Sequence, residues 1–516
     1  MEETMKIIKS TIAAAVALAL AGPALAQKSK DTIRLSLDEQ IPKISTYHWP
    51  VGEAGQFYRR VYQGLMAYDE YEGKFVPALA TSWKRINDTT IEFNLRKGVK
   101  FHNGNPFDAD DVINTFAYVG SPKVKLRFKS RYNWVKEVQK LGSHKIRVVA
   151  KKTNAMDMAL LAFRLLILDS KVHKKLDKKS DYGRVSAAGT GVVKIFSVDR
   201  NKGVVAGRND AFNSGERKYF PAPAKRVIGI HLPDNQTKIA QLISGGVDMV
   251  RNISPDNAKA LANHPNLEVS YLKSNFMVFF AIDLAGVSGN KALADVRVRK
   301  AIWMSMDRDV IIKHIVPGGS RAQKMKALCF KSAAACKWTK DAPPFDPAQA
   351  KRLLAEAGYP NGIDFTFHVI SRIKEIGEAM AGEMRKVGVR AKVQPTNIGT
   401  YRRLQGQKKL QAWLIAYPAG SFPDAGNHLN VYFRGSRTQY MGADPIILGA
   451  MKKGAGELNL KKRAEFYSTA YDRANEMIYN MAVTSLPYVI AHTKDVKVGL
   501  DSLSTGEIYV NNYGWK

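Results

Sequence analysis

The chain of 516 residues is poor in cysteine, with only Cys329 and Cys336. That excludes a disulfide-built scaffold and leaves the fold to its hydrophobic core. Two cysteines this close suit a local disulfide in an oxidising compartment, with a loop-closure contribution of about 2 to 2.5 kcal/mol. They lack the CxxC spacing or histidine neighbours of a redox or metal pair. Beyond the N-terminus, no apolar run reaches the roughly 20 residues that cross a bilayer. Common catalytic signatures are missing as well: no GxSxG elbow, no HExxH, no GxxxxGK[ST] loop. Gly189-Thr190-Gly191 is a fragment of a dinucleotide loop, but it leads into a strand and so makes no anion site at a helix start. The ten histidines are scattered with none paired at ligand spacing, so neither a metal site nor a cofactor is expected. These absences argue against an enzyme.

Acidic residues are scarce beside basic ones, 46 against 79, for a net charge of +33. Such a field attracts an anionic ligand, nucleic acid or anionic lipid. The lysines and arginines run along the whole chain and form no arm or tail, so they read as solvated surface. A nucleic-acid or surface-binding protein would show a basic stripe interleaved with aromatics. None is readable, and no nucleic-acid partner is expected.

What is present begins at the N-terminus. Lys6 and Lys9 precede a short apolar run, Ile12 to Ala21, broken by Gly22-Pro23. Ala24-Leu25-Ala26 then places small residues for cleavage before Gln27, the pattern of a secretory signal. No cysteine lies at the cleavage region, so residues 1–26 read as a cleaved signal peptide and not a lipoprotein leader. The expected location is the periplasm. Glu2, Glu3, Lys6 and Lys9 cancel, so the mature chain keeps the whole charge excess.

Strand and helix patterns alternate along the rest. Asp31 to Gln40, Thr89 to Leu95, Lys145 to Lys151, Val192 to Val198, Phe276 to Asp283, Phe365 to Ile370 and Ala391 to Pro395 read as strands. Helical spacing marks Phe57 to Tyr68, Asp108 to Val119, Thr237 to Ser244, Val298 to His314, Asp346 to Ala357, Glu375 to Val387 and Leu460 to Tyr479. Asp108 is placed to cap its helix, and Pro347 follows the helix start at Asp346. The class is α/β. No internal repeat or disordered linker is evident, so lobes must be joined by short crossings. Trp83, Phe93 and Phe101 read as core, and Asp307-Arg308 as a helix-end ion pair.

Several phrases, in order, resemble extracellular solute-binding proteins of family 5. They are Tyr62-Gln63-Gly64-Leu65 through Asp69, Pro77-Ala78-Leu79-Ala80-Thr81-Ser82-Trp83, and Phe93-Asn94-Leu95-Arg96-Lys97-Gly98-Val99-Lys100-Phe101-His102 with Pro106-Phe107. Further on come Gly189-Thr190-Gly191 with Arg208-Asn209, Asp295-Val296-Arg297-Val298-Arg299 with Met306-Asp307-Arg308, and Leu353-Leu354-Ala355-Glu356-Ala357-Gly358-Tyr359-Pro360. The resemblance implies a two-lobed periplasmic-binding-protein clamshell of class II with an extra small α/β domain and a ligand cleft between the lobes. By similarity, lobe I takes 27–60, 186–270 and 488–516, the extra domain 61–185, and lobe II 271–487. The implied function is the periplasmic substrate-binding component of an ABC importer, a monomer that presents a peptide-like or other small solute to permease subunits in the inner membrane. An oligosaccharide, an opine-like conjugate or a metal chelate (nickel, haem) is the alternative ligand.

The resemblance also points to a cleft loop within Leu410 to Leu429. Tyr417 falls at an aromatic position there. In peptide-binding members the first aspartate of this loop pairs with the peptide's amino terminus. Gly420 stands at that place here and Asp424 matches the second aspartate, which counts against a ligand with a free amino terminus unless Asp424 takes the role. Trp413, Tyr417 and Phe422 are candidates for stacking on ligand, with alternation placing Trp413 and Tyr417 on one face. Asn275 and Phe276, opening the strand into lobe II, are candidate contacts or hinge residues. Thr46, Tyr47 and His48 lie where lobe I loops face the cleft. His428, Arg402 and Arg403 read as surface.

Overall fold

The computed structural model describes residues 31–50, 52–69, 72–126, 128–184, 186–418, 422–433, 443–499 and 508–516. The signal-like segment 1–26 and Gly420 lie outside them.

The strand Thr32–Leu37 sits inside a seven-stranded sheet, between Arg226–His231 and Met249–Arg251 and parallel to both. The sheet is completed by Gly203–Arg208 and Val193–Asp199 on one side and by Tyr488–Thr493 and Leu267–Leu272 on the other. A second sheet of five strands runs Val389–Thr396, Ile363–Ile370, Ala412–Pro418, Phe276–Ile282, Met481–Ser485. Its strand Phe276–Ile282 (FMVFFAI) is apolar at every position, and six of the seven residues are buried, as a strand covered on both faces requires. A third, four-stranded antiparallel sheet is made by Ala80–Asn87, Thr90–Leu95, Lys145–Ala150 and Val135–Gly142. The molecule is thus a two-lobed α/β clamshell carrying an extra small domain.

Two large cores match this division. One gathers Phe279, Trp303, Phe367 and Tyr471 around the five-stranded sheet. The other runs from Leu35 and Phe57 into Phe93, Phe101 and Val148, so the small sheet shares a core with the seven-stranded lobe. Phe93 and Phe101 are buried in it, and Trp83 packs on it half-buried.

Local chemistry explains most element ends. Asp108 begins the helix Ala109–Gly120 with a reciprocal capping box to Asp111. Asp346 caps Pro347–Glu356. Two helix expectations change. The helix at Phe57 ends at Val61, because Tyr62 is already extended. Gly64 then passes so close to the Leu161 carbonyl that a Cβ would lie 2.4 Å from it, and Met66–Asp69 turns into a hairpin with Lys74–Pro77. The stretch Val298 to His314 is two helices, Val296–Met304 and Arg308–His314. Asp307 caps the second by accepting from the Asp309 and Val310 amides. Arg308 turns instead to the Trp303 ring at 4.3 Å and the Met325 carbonyl at 2.7 Å. Asp307 and Arg308 therefore act as cap and packing residue, not as an ion pair.

Candidate functional site

The lobes are joined by two adjacent chain crossings, at 273–275 and 486–487. The Ser274 hydroxyl donates to the Leu486 carbonyl at 2.7 Å and accepts from the Phe276 amide at 3.0 Å. The Leu486 amide donates to the Phe276 carbonyl at 2.8 Å. Asn275 is buried between them. Phe276 is half-buried, with the Arg372 guanidinium 4.6 Å from its ring centre and the Tyr488 ring at 6.2 Å. Arg372 is held by donating to the Ala416 carbonyl at 2.9 Å. The crossing is therefore short, hydrogen-bonded and faced with aromatics, a geometry suited to a hinge.

On the five-stranded lobe, Tyr417 is half-buried near the end of Ala412–Pro418, opposite Met277 in the ladder. Trp413 is placed differently from the stacking role considered for it. It is 1% exposed inside the lobe core, so it packs and does not face ligand. Phe422 is 1% exposed. It stacks on Phe163, with ring centres 6.2 Å apart and planes within 16°, and packs on Ala159 and Leu160. Those residues belong to the other body, so Phe422 closes the cleft rim. Asp424 is 3% exposed and paired with Arg463 at 2.9 Å. It also accepts from the Gly426 amide at 2.8 Å. Burial pushes its carboxyl up to about 6. A carboxylate held this way is committed within the protein and does not reach a ligand ammonium. His428 is 1% exposed on the helix Ala425–Phe433, its ring against Phe330 at 6.4 Å. It is core, not surface. The Cys329 and Cys336 sulfurs are bonded.

On the facing side, Tyr47 is buried, donates to the Leu166 carbonyl at 2.6 Å and sets its ring edge-on to Tyr132 at 5.3 Å. Thr46 is 3% exposed beside it, so Thr46 and Tyr47, expected to face the cleft, pack inside this body instead. His48 Nε2 meets the Tyr118 hydroxyl at 2.8 Å, and burial holds its imidazole down near about 4, so the ring is neutral at pH 7. Thr46, Tyr47 and His48 border a small space with Tyr118, Leu168, Lys179 and Tyr182.

The sequence reading missed Arg59, Arg131 and Arg164, which the structure brings to this side. Arg59 rides on Gly55–Val61. The backbone of that helix is met by Gly189 and Gly191, where a Cβ would lie 1.9 Å from the Val61 carbonyl and 2.0 Å from that of Arg60. Only glycine allows this approach, so the Gly-Thr-Gly motif seats the helix that carries Arg59. Arg131 ends the turn Lys129–Arg131, with its guanidinium 4.1 Å from the Phe128 ring centre. Arg164 closes the helix Asp157–Phe163, its guanidinium 5.8 Å from the Phe422 ring centre. Burial lowers Arg164 to about 9, and the positive charges of Arg131 and Arg59 push the same way. Arg131 is also lowered by burial, with Tyr132, Tyr417 and Tyr58 acting on it from nearby. A signal was available: Arg164 is the only charge in Met158 to Leu168 (MALLAFRLLIL), and a lone arginine in an apolar run needs a reason.

A cavity of about 170 Å³ adjoins this cluster, lined by Arg59, Arg60, Tyr62, Phe163, Leu166 and Tyr509 among others. Among the described residues, no group of three His, Cys, Asp or Glu is placed to hold a metal, and no helix is long and apolar enough to cross a membrane.

Residues 74–440 match the model of bacterial extracellular solute-binding proteins, family 5, middle. Heme-binding protein A of Haemophilus influenzae is 24% identical over 477 residues, covering 84% of this chain and 82% of its own. Di/tripeptide-binding protein 1 of Pseudomonas aeruginosa is 24% identical over 408 residues, covering 72% and 73%. Among solved structures, NikA of Brucella suis in complex with Fe(III)-EDTA superposes with a TM-score of 0.81 at 20% identity, over 94% of this chain and 100% of that one. The chain belongs to family 5 of the bacterial extracellular solute-binding proteins.

Proposed function

We propose that this family member is the exported substrate-capturing component of an ABC importer, closing two lobes over a small solute and handing it to permease subunits in the inner membrane. One observation carries the reading. The double crossing at Ser274 and Leu486 joins two rigid sheets, with half-buried Tyr417 on one side acting on half-buried Arg131 on the other. A cleft between lobes buries a solute and excludes water on closure, and closure is driven by contacts made only in the closed state. Relatives named for haem and di/tripeptides, and a neighbour holding Fe(III)-EDTA, support a small solute as cargo.

The same reading divides the chain into lobe I (27–60, 186–270, 488–516), a small domain (61–185) and lobe II (271–487). It has the leader cleaved before Gln27, the mature monomer in the periplasm and no catalytic role. Native mass spectrometry of protein purified without denaturation, followed by thermal-shift assays with the released species, tests it. A ligand at about 100-fold over its Kd adds about 2.7 kcal/mol, so a co-purified small molecule that raises the melting temperature is the expected result. Salt-sensitive binding of DNA or anionic lipid, with no small solute bound, would overturn it.

A further inference from the structure

Resting on the solute-binding reading, we propose that the exported protein docks on an anionic lipid surface through lysines that its two bodies bring together at the cleft rim. Lys151 and Lys152 lie on the body that carries Asp157–Phe163, between that helix and the strand Lys145–Ala150. Lys452 and Lys453 end the helix Pro445–Ala455 of the five-stranded lobe, and Lys461 and Lys462 begin Leu460–Met477. All six are exposed. The two sets meet where the Ala155 amide donates to the Ala455 carbonyl at 3.0 Å and the Arg463 guanidinium donates to the Ala155 carbonyl. Each lysine lies within four residues of that contact. Among the described residues, none of the six ammonium groups is ion-paired. Exposed lysines elsewhere are, as Lys140 is with Asp110 at 2.7 Å and Lys386 with Glu383 at 2.6 Å. The basic excess runs along the whole sequence, so this gathering is a product of the fold.

The carboxylates on the adjoining turns are Asp88 and Glu457, which leaves an excess of four, six less two. Lys461 and Lys462 also stand at a helix start, where the backbone is already partially positive, so local preference opposes them. Closing the cleft brings like charges on the two bodies toward each other. Their repulsion works against closure over a screening length of about 8 Å at physiological ionic strength. A layer of anions facing the rim relieves it. Arg463, in the middle, is turned inward to Asp424 and the Ala155 carbonyl. A partner therefore meets lysines, which are hydrated point charges on flexible stems and not planar forks. They suit a diffuse negative surface better than a shaped acidic site, and each lysine near an anionic bilayer adds its own attraction. The array is complete only while the bodies are together, so the two events are linked. An anionic surface favours the closed form, and the closed form holds the surface more tightly. Loaded protein is thereby concentrated at the membrane that holds the permease.

Cosedimentation of the intact purified chain with vesicles of phosphatidylglycerol mixed into phosphatidylcholine, against phosphatidylcholine alone, tests the inference. The mixed vesicles bind the wild type and release it as salt rises, and pure phosphatidylcholine does not bind it. Lys151→Gln, Lys152→Gln, Lys461→Gln and Lys462→Gln together weaken vesicle binding by about tenfold or more. Lys171→Gln, Lys174→Gln, Lys175→Gln and Lys178→Gln together remove the same charge from exposed positions elsewhere and leave binding within about twofold. Circular dichroism confirms that each variant is folded. Phe422→Ala, once scattering shows its cleft open, binds the vesicles more weakly than the wild type, and unchanged binding there would overturn the link to closure. Equal losses in the two quadruple variants would mean that net charge alone is read, and the rim inference falls. It falls equally if soluble polyglutamate binds and the vesicles do not. If a small solute co-purifies but no vesicle binds, the membrane inference falls while the solute-binding reading stands. If no small solute binds or co-purifies, the solute-binding reading falls whatever the vesicles do.

Discussion

Arg463 and Asp424 form a buried ion pair 2.9 Å long, and the same guanidinium donates to the Ala155 carbonyl. Arg463 lies on Leu460–Met477 of the five-stranded lobe, whereas Ala155 precedes Asp157–Phe163 of the facing body. The Ala155 amide adds a bond to the Ala455 carbonyl at 3.0 Å. One residue thus neutralises a buried carboxylate and links the two bodies. Replacing Arg463 with Met leaves the Asp424 charge uncompensated, a loss on the order of 3–5 kcal/mol, read as a lower urea midpoint. The double variant Arg463→Met, Asp424→Leu recovers much of that loss, because removing both charges also removes their desolvation cost. A double variant no more stable than the single one would contradict the ion-pair account.

Phe422 is the apolar counterpart of this link. Its stack on Phe163 at 6.2 Å exists only while the lobes are together. Phe422→Ala removes surface buried at closure and shifts the protein toward its open form. Apparent ligand affinity then falls by the fraction of closed-competent protein lost, about tenfold for a shift of about 1.4 kcal/mol. Small-angle scattering of the ligand-free variant shows a larger radius of gyration than wild type. Unchanged affinity and scattering would mean that the contact does not hold the cleft.

Gly191 links a sequence motif to the site. A Cβ there lies 2.0 Å from the Arg60 carbonyl, and backbone on both sides leaves nothing flexible to give way. Gly191→Ala displaces Gly55–Val61 and the Arg59 it carries. The expected cost is on the order of 1–3 kcal/mol of overpacking strain, accompanied by weaker ligand binding. Gly104→Ala is a useful contrast, since its left-handed φ of 89° strains the backbone but nothing lies near its Cβ. It lowers stability without touching affinity.

How much of this was legible depends on whether the cause was local. The strand Phe276–Ile282 and the cap at Asp108 were readable, because an unbroken apolar run and a carboxylate before a helix act within a few residues. The break at Asp307 was readable in principle, but the apolar spacing on both sides masked the cap. The cleft loop misled for a different reason. Trp413 and Tyr417 do alternate onto one face, yet only the packing of the whole lobe sinks Trp413 to 1% exposure and leaves Tyr417 half-buried. Asp424 looked available because Arg463, its partner, lies 39 residues away. Arg59, Arg131 and Arg164 were invisible as a set, since nothing in their spacing says that three distant elements meet. Arg164 alone was marked, by its isolation among apolar residues.

The bond between Cys329 and Cys336 closes a loop with a sequence separation of 7. A loop this short contributes about 2 to 2.5 kcal/mol through the unfolded chain. Cys329 is 1% exposed in the core of the five-stranded lobe. Cys329→Ala with Cys336→Ala therefore lowers the urea midpoint of that lobe's unfolding. A tenfold loss of affinity would mean that the loop shapes the cleft.

His102 ties stability to pH. Its Nε2 donates to the Gly191 carbonyl at 2.9 Å, and its Nδ1 accepts from the Gly189 amide at 3.4 Å. Those partners fix a neutral ring, since a protonated Nδ1 would face an N–H. Burial lowers the imidazole from 6.5 to about 4. The unfolded chain therefore binds the proton more readily between those values. The contribution is complete above about pH 6.5 and is lost as pH falls toward 4. His48 and His173 are lowered to about 4 in the same way, so acidification takes up as many as three protons on unfolding from these rings. His102→Gln, which preserves one donor and one acceptor, removes about one of them. Urea midpoints measured from pH 7 to pH 4.5 then fall less steeply in the variant than in wild type, and parallel slopes would show that His102 titrates normally in the folded protein.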